Sequence, residues 1–329
     1  MPNKINLKQV AENSFYCDGY FAVGVYRCND NGVVLIDSGV DKNLAKLIDK
    51  ALRQEKLTVH AIINTHCHGD HCGGNAYFQQ QYPELQVYAT VAEQRSIESP
   101  DHGPTCFCGN AAPFIELKKT KQVAPQQPSI VTDPIKDYTD QTISIAGSDF
   151  RIVTLPGHTP GMIGVITPDQ VLYTGDAVFG DDTFVKHSIL FYTDVTNTLA
   201  SFEKLKGMNI VQAVLYHGGY SDNLQAIASA HQGRIMETMQ IVEGFLQQEP
   251  LSIEQLTQKV MQKFSLPENV VSFTLTKTAI TAYISYLQSN KQLELIVKDG
   301  LLMAKLEPGN STATSTAASE LAFLSKTGI

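Results

Sequence analysis

Residues 59–74 read Val59-His60-Ala61-Ile62-Ile63-Asn64-Thr65-His66-Cys67-His68-Gly69-Asp70-His71-Cys72-Gly73-Gly74, and this stretch decides the fold. The apolar run from Val59 to Ile63 predicts a buried strand. The strand ends at Asn64-Thr65 and opens into three histidines and an aspartate within six residues. In an extended segment, residues two apart point the same way, so His66 and His68 share a face. Once the chain turns at Gly69, Asp70 and His71 can face the same cavity. Imidazole nitrogen and carboxylate oxygen suit Zn²⁺, and also Mn²⁺ or Fe²⁺. Four such groups packed this closely serve two neighbouring cations better than one.

Working outward, the same arrangement recurs. Residues 14–27 and 32–37 are rich in β-branched and aromatic residues and predict strands joined by a tight turn at Asn31-Gly32. Asp37-Ser38-Gly39 breaks that pattern, and residues 41–55 carry Leu44, Leu47, Ile48, Ala51 and Leu52 at helical spacing. A helix is expected from about Asn75 and a strand over 86–89. Residues 98–140 are irregular and proline-rich and predict a long surface insertion with some helix. Strands follow at 142–155, 163–167 and 171–174, then a helix at 196–206 and a strand at 210–216. His158 sits in Pro156-Gly157-His158-Thr159-Pro160-Gly161, Asp176 follows Thr174-Gly175, and His217 follows Val214-Leu215-Tyr216. Each cluster therefore falls just past the C-terminal end of an apolar strand, where open α/β layers place their sites. The alternation of strands and helices in both halves predicts an αββα sandwich.

From about residue 230 the pattern changes. Helices are predicted at 231–247, from Ser252 (with Gln255 as a capping-box partner), and at 273–290, followed by a hairpin around Asp299-Gly300. This order matches a small winged-helix-like module. The expected division is therefore a catalytic domain over 1–230, the winged-helix-like domain over 231–307, and a disordered tail over 308–329.

Bulk properties narrow the function classes. The chain has 329 residues with 43% apolar content and a formal net charge of −8, a weak match to proteins that coat nucleic acid or anionic membrane. No secretory signal and no membrane span are read, and six scattered cysteines do not form a disulfide framework. A cytoplasmic setting is expected.

The order His-x-His-x-Asp-His, then PGHTPG, then Thr-Gly-Asp, then a late histidine resembles the metallo-β-lactamase superfamily over about residues 14–230. The resemblance implies that family's four-layer αββα fold. It also implies His66, His68 and His158 on one metal, Asp70, His71 and His217 on a second, and Asp176 bridging them. Two divalent ions are implied, Zn first, with Mn or Fe open. A metal-bridging hydroxide would cleave an ester, thioester or lactone, with Asp70 as the catalytic group that orients it. The glyoxalase II and lactonase branches share this motif. Lactonases often carry a tyrosine after the bridging aspartate, where this chain has Ala177-Val178-Phe179; Tyr192 and His187 are the candidates to take that place, so Phe179, His187 and Tyr192 are the substrate-contact candidates. The glutathione-binding basic residues of glyoxalase II have no match here. The flavodiiron branch has a glutamate where this chain has His68.

Alternatives remain at this stage. A phosphodiesterase or nuclease is one, because related hydrolases with a winged-helix module include nucleases. However, the third helix of that module and the residue after it offer only Lys277 and Lys291, so a docking or homodimer-forming role is favoured over nucleic-acid binding. A mononuclear-iron oxygenase of persulfides shares the fold and would not need His71 or His217. A non-enzymatic binding protein with a relic site is the third. The Cys106–Cys108 pair with His102 is a candidate further metal site.

Overall fold

The computed structural model describes residues 4–28 and 31–307; the tail expected over 308–329 lies outside them. The first half carries β1 (Leu7–Gln9), β2 (Ser14–Cys17), β3 (Gly24–Arg27), β4 (Gly32–Ile36), α1 (Lys42–Gln54), β5 (Thr58–Ile63), α2 (Gly69–Cys72), α3 (Asn75–Gln81), β6 (Gln86–Thr90), α4 (Val91–Glu98), α5 (His102–Phe107), α6 (Ile115–Lys119) and β7 (Asp133–Ile135). The second half carries β8 (Gln141–Ile145), β9 (Ser148–Thr154), β10 (Ile163–Ile166), β11 (Val171–Tyr173), α7 (Asp181–Lys186), α8 (Val195–Gly207), β12 (Gln212–Leu215) and β13 (Gly219–Ser221). The C-terminal part consists of α9 (Leu224–Leu246), β14 (Leu251–Ser252), α10 (Ile253–Lys263), α11 (Val270–Ser289), β15 (Leu293–Lys298) and β16 (Leu301–Leu306).

Strands β1 to β7 form one sheet in chain order, and β13-β12-β11-β10-β9-β8 form a second. The alternation of side chains along each strand explains the layering. In β4, Val33 and Leu35 pack with Leu44, Ile48 and Leu52 of α1, whereas Val34 and Ile36 pack with Phe150, Ile152 and Val165 of the second sheet. The second sheet turns Val153, Leu172 and Leu215 toward α8 and α9 on its far side. This is the expected helix–sheet–sheet–helix sandwich. A bulge in the β4–β5 pairing shifts the register between Val33 and Val34. It puts Val59 and Ile62 on the helix side and Ala61 and Ile63 on the sheet side, and so sets the face from which the ligand loop departs.

Several boundaries differ from expectation. Residues 14–27 are two strands, separated at 18–23, because Cys17 N–H bonds back to the Val23 carbonyl and closes the hairpin there. The insertion contains α5, α6 and a further strand, β7, paired parallel to β6. The predicted helix at 231–247 begins at Leu224, so the boundary expected at 230/231 falls inside one continuous helix. The capping box at Ser252 and Gln255 is present, and so is the hairpin at Asp299-Gly300. Strand β14 joins that hairpin to make a three-stranded sheet. Among the described residues no helix is long and apolar enough to cross a membrane.

Helix α9 is tied to the sandwich by a buried histidine. The Phe179 N–H donates to His231 Nε2 at 2.9 Å, and His231 Nδ1 donates to the Ile227 carbonyl at 2.8 Å. The first bond requires a neutral ring, because a protonated Nε2 has no lone pair to accept it. Burial holds its pKa down to about 4, below the ordinary 6.5. Because the folded pKa is depressed, the unfolded chain takes up the proton first as pH falls. Stability should be unaffected above about pH 6.5 and should drop by about 3 kcal/mol as pH falls from 6.5 to 4. Denaturant unfolding of the wild type and His231→Gln across that range should show the extra acid sensitivity in the wild type alone; parallel curves refute it.

Candidate metal centre

The ligand loop leaves β5 at the edge where the two sheets meet. His66 and His68 lie in the extended segment, and Gly69 opens the short helix α2 that carries Asp70 and His71. Gly69 is needed for space, because a Cβ there would come within 2.2 Å of the Lys121 carbonyl oxygen and 2.3 Å of that of Ala124. The second sheet supplies the remaining groups from its own strand ends: His158 after β9, Asp176 after β11 and His217 after β12. Gly175 turns the chain before Asp176 with φ +53°.

All seven predicted ligands come together. Three sets of ligand atoms each lie within 4.8 Å: His66, His68 and His158; His66, His71 and Asp176; and Asp70, His71 and His217. His68 Nδ1 stands 3.0 Å from His66 Nε2 and 2.9 Å from His158 Nε2. His217 Nε2 lies 3.3 Å from Asp70 Oδ2 and 3.5 Å from Asp176 Oδ2. His71 Nε2 lies 3.1 Å from Asp176 Oδ1, yet both atoms are buried without a hydrogen bond, as their geometry does not make one.

The donor chemistry fits cations. Burial lowers the pKa of His66, of His68 (to about 3) and of His158, so these three rings are neutral and offer lone pairs. His158 Nδ1 donates to the Phe191 carbonyl at 2.8 Å, leaving Nε2 for the cavity. On the other side, burial opposes protonation of His71 and His217, but Asp176 outweighs it, with help from Asp37 at His71 and Asp70 at His217. His71 is raised well above its ordinary value and His217 to about 9. For Asp176, burial is outweighed by His217 and His71, which hold its carboxyl well below the usual range. A carboxylate that draws protons onto two neighbouring rings offers the same attraction to a divalent cation.

Residues not singled out from the sequence hold this arrangement in place. Asp37, buried and at φ +65°, accepts from Thr65 N–H and Thr65 Oγ1 (both 2.8 Å) and from His71 Nδ1 (2.8 Å). It thereby fixes which nitrogen of His71 faces the cavity. A non-glycine residue in the left-handed region costs energy and marks a site held by its surroundings. Tyr216 stacks on the His71 ring at 3.7 Å, and its hydroxyl donates to the Asp70 carbonyl. Glu93 of α4, also buried, accepts from Cys67 N–H at 3.0 Å and from Gly161 N–H at 2.7 Å, joining the two loops that bear His66, His68 and His158.

The three substrate-contact candidates separate. Phe179 is buried, its ring 6.1 Å from His158 and 6.2 Å from His217. Tyr192 is also buried, and its hydroxyl donates to the Ala177 carbonyl at 3.0 Å. It is therefore a wall residue and no stand-in for the missing tyrosine oxygen. His187 is exposed at the end of α7, where its carbonyl accepts from Arg234 at 2.9 Å. Three aromatic residues not foreseen flank the ligands: Phe191 lies 5.5 Å from His158, and Tyr20 and Phe21 lie 5.9 and 5.5 Å from His217. Cys106 Sγ is 3.9 Å from His102 Nε2, but this pair and Cys108 form no three-ligand group.

Fold and site together define a layered α/β protein with a cluster of histidines and carboxylates at the strand ends that could hold metal. Residues 21–217, more than half of the chain, match the family model described as the metallo-beta-lactamase superfamily, and the chain belongs to that superfamily. It is 27% identical over 152 residues to a hydroxyacylglutathione hydrolase of Prochlorococcus marinus, covering 46% of this chain and 47% of that one. It is 28% identical over 157 residues to a probable metallo-hydrolase of Streptococcus pyogenes, covering 47% and 60%. The chain thus spans about half the length of the first curated relatives it matches. A beta-lactamase domain protein from Burkholderia ambifaria shares the fold with a TM-score of 0.71 at 16% identity, over 93% of this chain and 95% of that one.

Asp37→Ala would leave Thr65 and His71 without their acceptor. Loss of a partner that orients a ligand typically weakens metal affinity by about 10–100-fold. A competition titration of the wild type and the variant with Zn²⁺ and a chromophoric chelator should show zinc binding weakened by that factor in the variant. An unchanged affinity contradicts this role for Asp37.

Proposed function

We propose that the chain is a dinuclear metal-dependent hydrolase that cleaves an ester, thioester or lactone. The observation that carries this reading is that three converging ligand groups are linked through His66 and His71, each of which belongs to two of them, with Asp176 in the group that joins the other two. A single cation would leave part of that donor set unused. A one-iron oxygenase would need neither His71 nor His217, yet both reach Asp176 here. A complete ligand set likewise speaks against a relic site.

In this reading His66, His68 and His158 would hold one divalent ion and Asp70, His71 and His217 the other, with Asp176 available to both. Zn²⁺ is the first candidate. When bound, the ions supply Lewis acidity and an activated water near neutral pH. The chain's own residues do the rest. Asp70 Oδ2 lies 3.3 Å from His217 Nε2, where it would orient the attacking water, take its proton and pass it to the leaving group. Phe179, Phe191 and Phe21 enclose the ligand rings and limit bulk water, which strengthens the electrostatics of the site. The chemistry is assigned to residues 1–230, with 231–307 bordering it. A small-molecule substrate fits better than nucleic acid, since Lys277 is already paired with Glu254 at 2.6 Å.

Initial rates of Zn-loaded protein on a thioester, a lactone and a phosphodiester test the reading. The acyl substrates should be favoured. Asp176→Ala or exhaustive chelation should lower those rates by about a hundredfold or more, with zinc readdition restoring only the chelated wild type. A phosphodiester preference, or full activity without metal, would overturn it.

A further inference from the structure

A cleft of about 1840 Å³ opens beside the centre, between the 102–119 insertion and helices α10 and α11. It exceeds the about 300–1,000 Å³ typical of small-ligand pockets. Its lining joins the centre at two points. The Phe107 ring is 6.0 Å from Phe191, which packs on His158. Thr193 Oγ1 is within hydrogen-bond reach of the Gly157 and His158 carbonyls.

The far wall is one face of α11. Phe273, Thr274, Lys277, Thr278, Thr281 and Ser285 recur at three- and four-residue steps along it. At 1.5 Å per residue that face runs about 18 Å. Opposite it, α10 contributes Gln258, Met261 and Gln262, and Phe114 stands exposed on the insertion side. The cleft is nearly neutral. Its only lining cation, Lys277, is held by Glu254 at 2.6 Å, and Glu268 adds a negative charge. An anionic ligand would find no free counter-charge, while an apolar chain with amide or carbonyl groups would find aromatic surface and neutral hydrogen-bonding side chains.

We propose that this cleft binds the acyl part of the substrate, a long uncharged chain whose scissile carbonyl lies at the Phe107–Thr193 end. The proposal rests on the hydrolase reading and narrows it to neutral, long-chain acyl compounds, against anionic glutathione thioesters.

Two measurements separate the two claims. Calorimetry would compare the ethyl and dodecyl thioethers of N-acetylcysteamine, which cannot be cleaved, with S-dodecylglutathione. The dodecyl thioether should bind at least about tenfold more tightly than the ethyl, given about 0.8 kcal/mol per buried methylene, and more tightly than the glutathione conjugate. Thr278→Phe and Gln258→Trp fill the cleft from opposite walls, so if one variant does not fold the other still serves. Each should abolish the chain-length increment. Acetyl, hexanoyl and dodecanoyl thioesters of N-acetylcysteamine would then report turnover, with kcat/KM rising with chain length in the wild type and flat in either variant. Equal affinities, a preference for S-dodecylglutathione, or an increment that survives both variants overturns the cleft assignment even if thioesters are cleaved. Cleft-dependent binding without turnover of any thioester overturns the hydrolase reading and leaves the cleft assignment standing.

Discussion

Five imidazoles and two carboxylates share one nearly dry space at the edge of two sheets, and the rest of the structure answers to the cost of putting them there. Buried polar groups without partners are expensive. The protein divides the cost. His66, His68 and His158 stay neutral, while His71 and His217 gather positive charge around Asp176. The residues around them then remove freedom from each ring. Asp37 fixes His71, the Phe191 carbonyl fixes His158, and Tyr216 stacks against His71 while holding the Asp70 backbone. What remains is a cluster of lone pairs and two carboxylates turned toward one another, with His71 Nε2 and Asp176 Oδ1 buried and without a hydrogen bond. That donor chemistry is the kind that suits a divalent cation.

The ligands were legible because each sits at a strand end that apolar runs announce. The bound on that legibility is informative. Asp37 read only as a breaker after β4, since its partners Thr65 and His71 are brought to it by parallel pairing of β4 with β5. Glu93 gave no sign either, being one acid in an ordinary helical stretch until the fold sets it between Cys67 and Gly161. Strand β7 escaped notice because it has three residues, one a proline, and draws its character from the edge of β6. Helix α9 was placed late because Leu224 to Ala230 carries few large apolar residues, although Leu224 and Ala228 are buried. Tyr192 shows the converse. Its chemistry suited a substrate contact, but a local carbonyl already takes its hydroxyl.

The C-terminal part is less an appendage than its change of sequence style suggests. Helix α9 runs from the catalytic half into it without a break, and one apolar cluster extends from Val153 and Leu172 through Phe202 and Ile235 to Leu287 and Ala304. The shared fold with the Burkholderia ambifaria protein also covers nearly the whole chain.

The clamp formed by Glu93 bears on how the molecule is assembled. Its two acceptor bonds reach loops that come from different sheets and lie far apart along the chain, and the last ligand, His217, follows later still. Contacts of such long range form slowly, because much chain entropy is lost before they are gained. During synthesis the cluster from His66 to His71 emerges first, with four donors in one short segment and no partner from the second sheet. An early-captured cation would thus be held by local groups alone. The full cluster of seven side chains comes into being only when the second sheet closes over the first, so any property that needs all seven reports whether the chain finished folding.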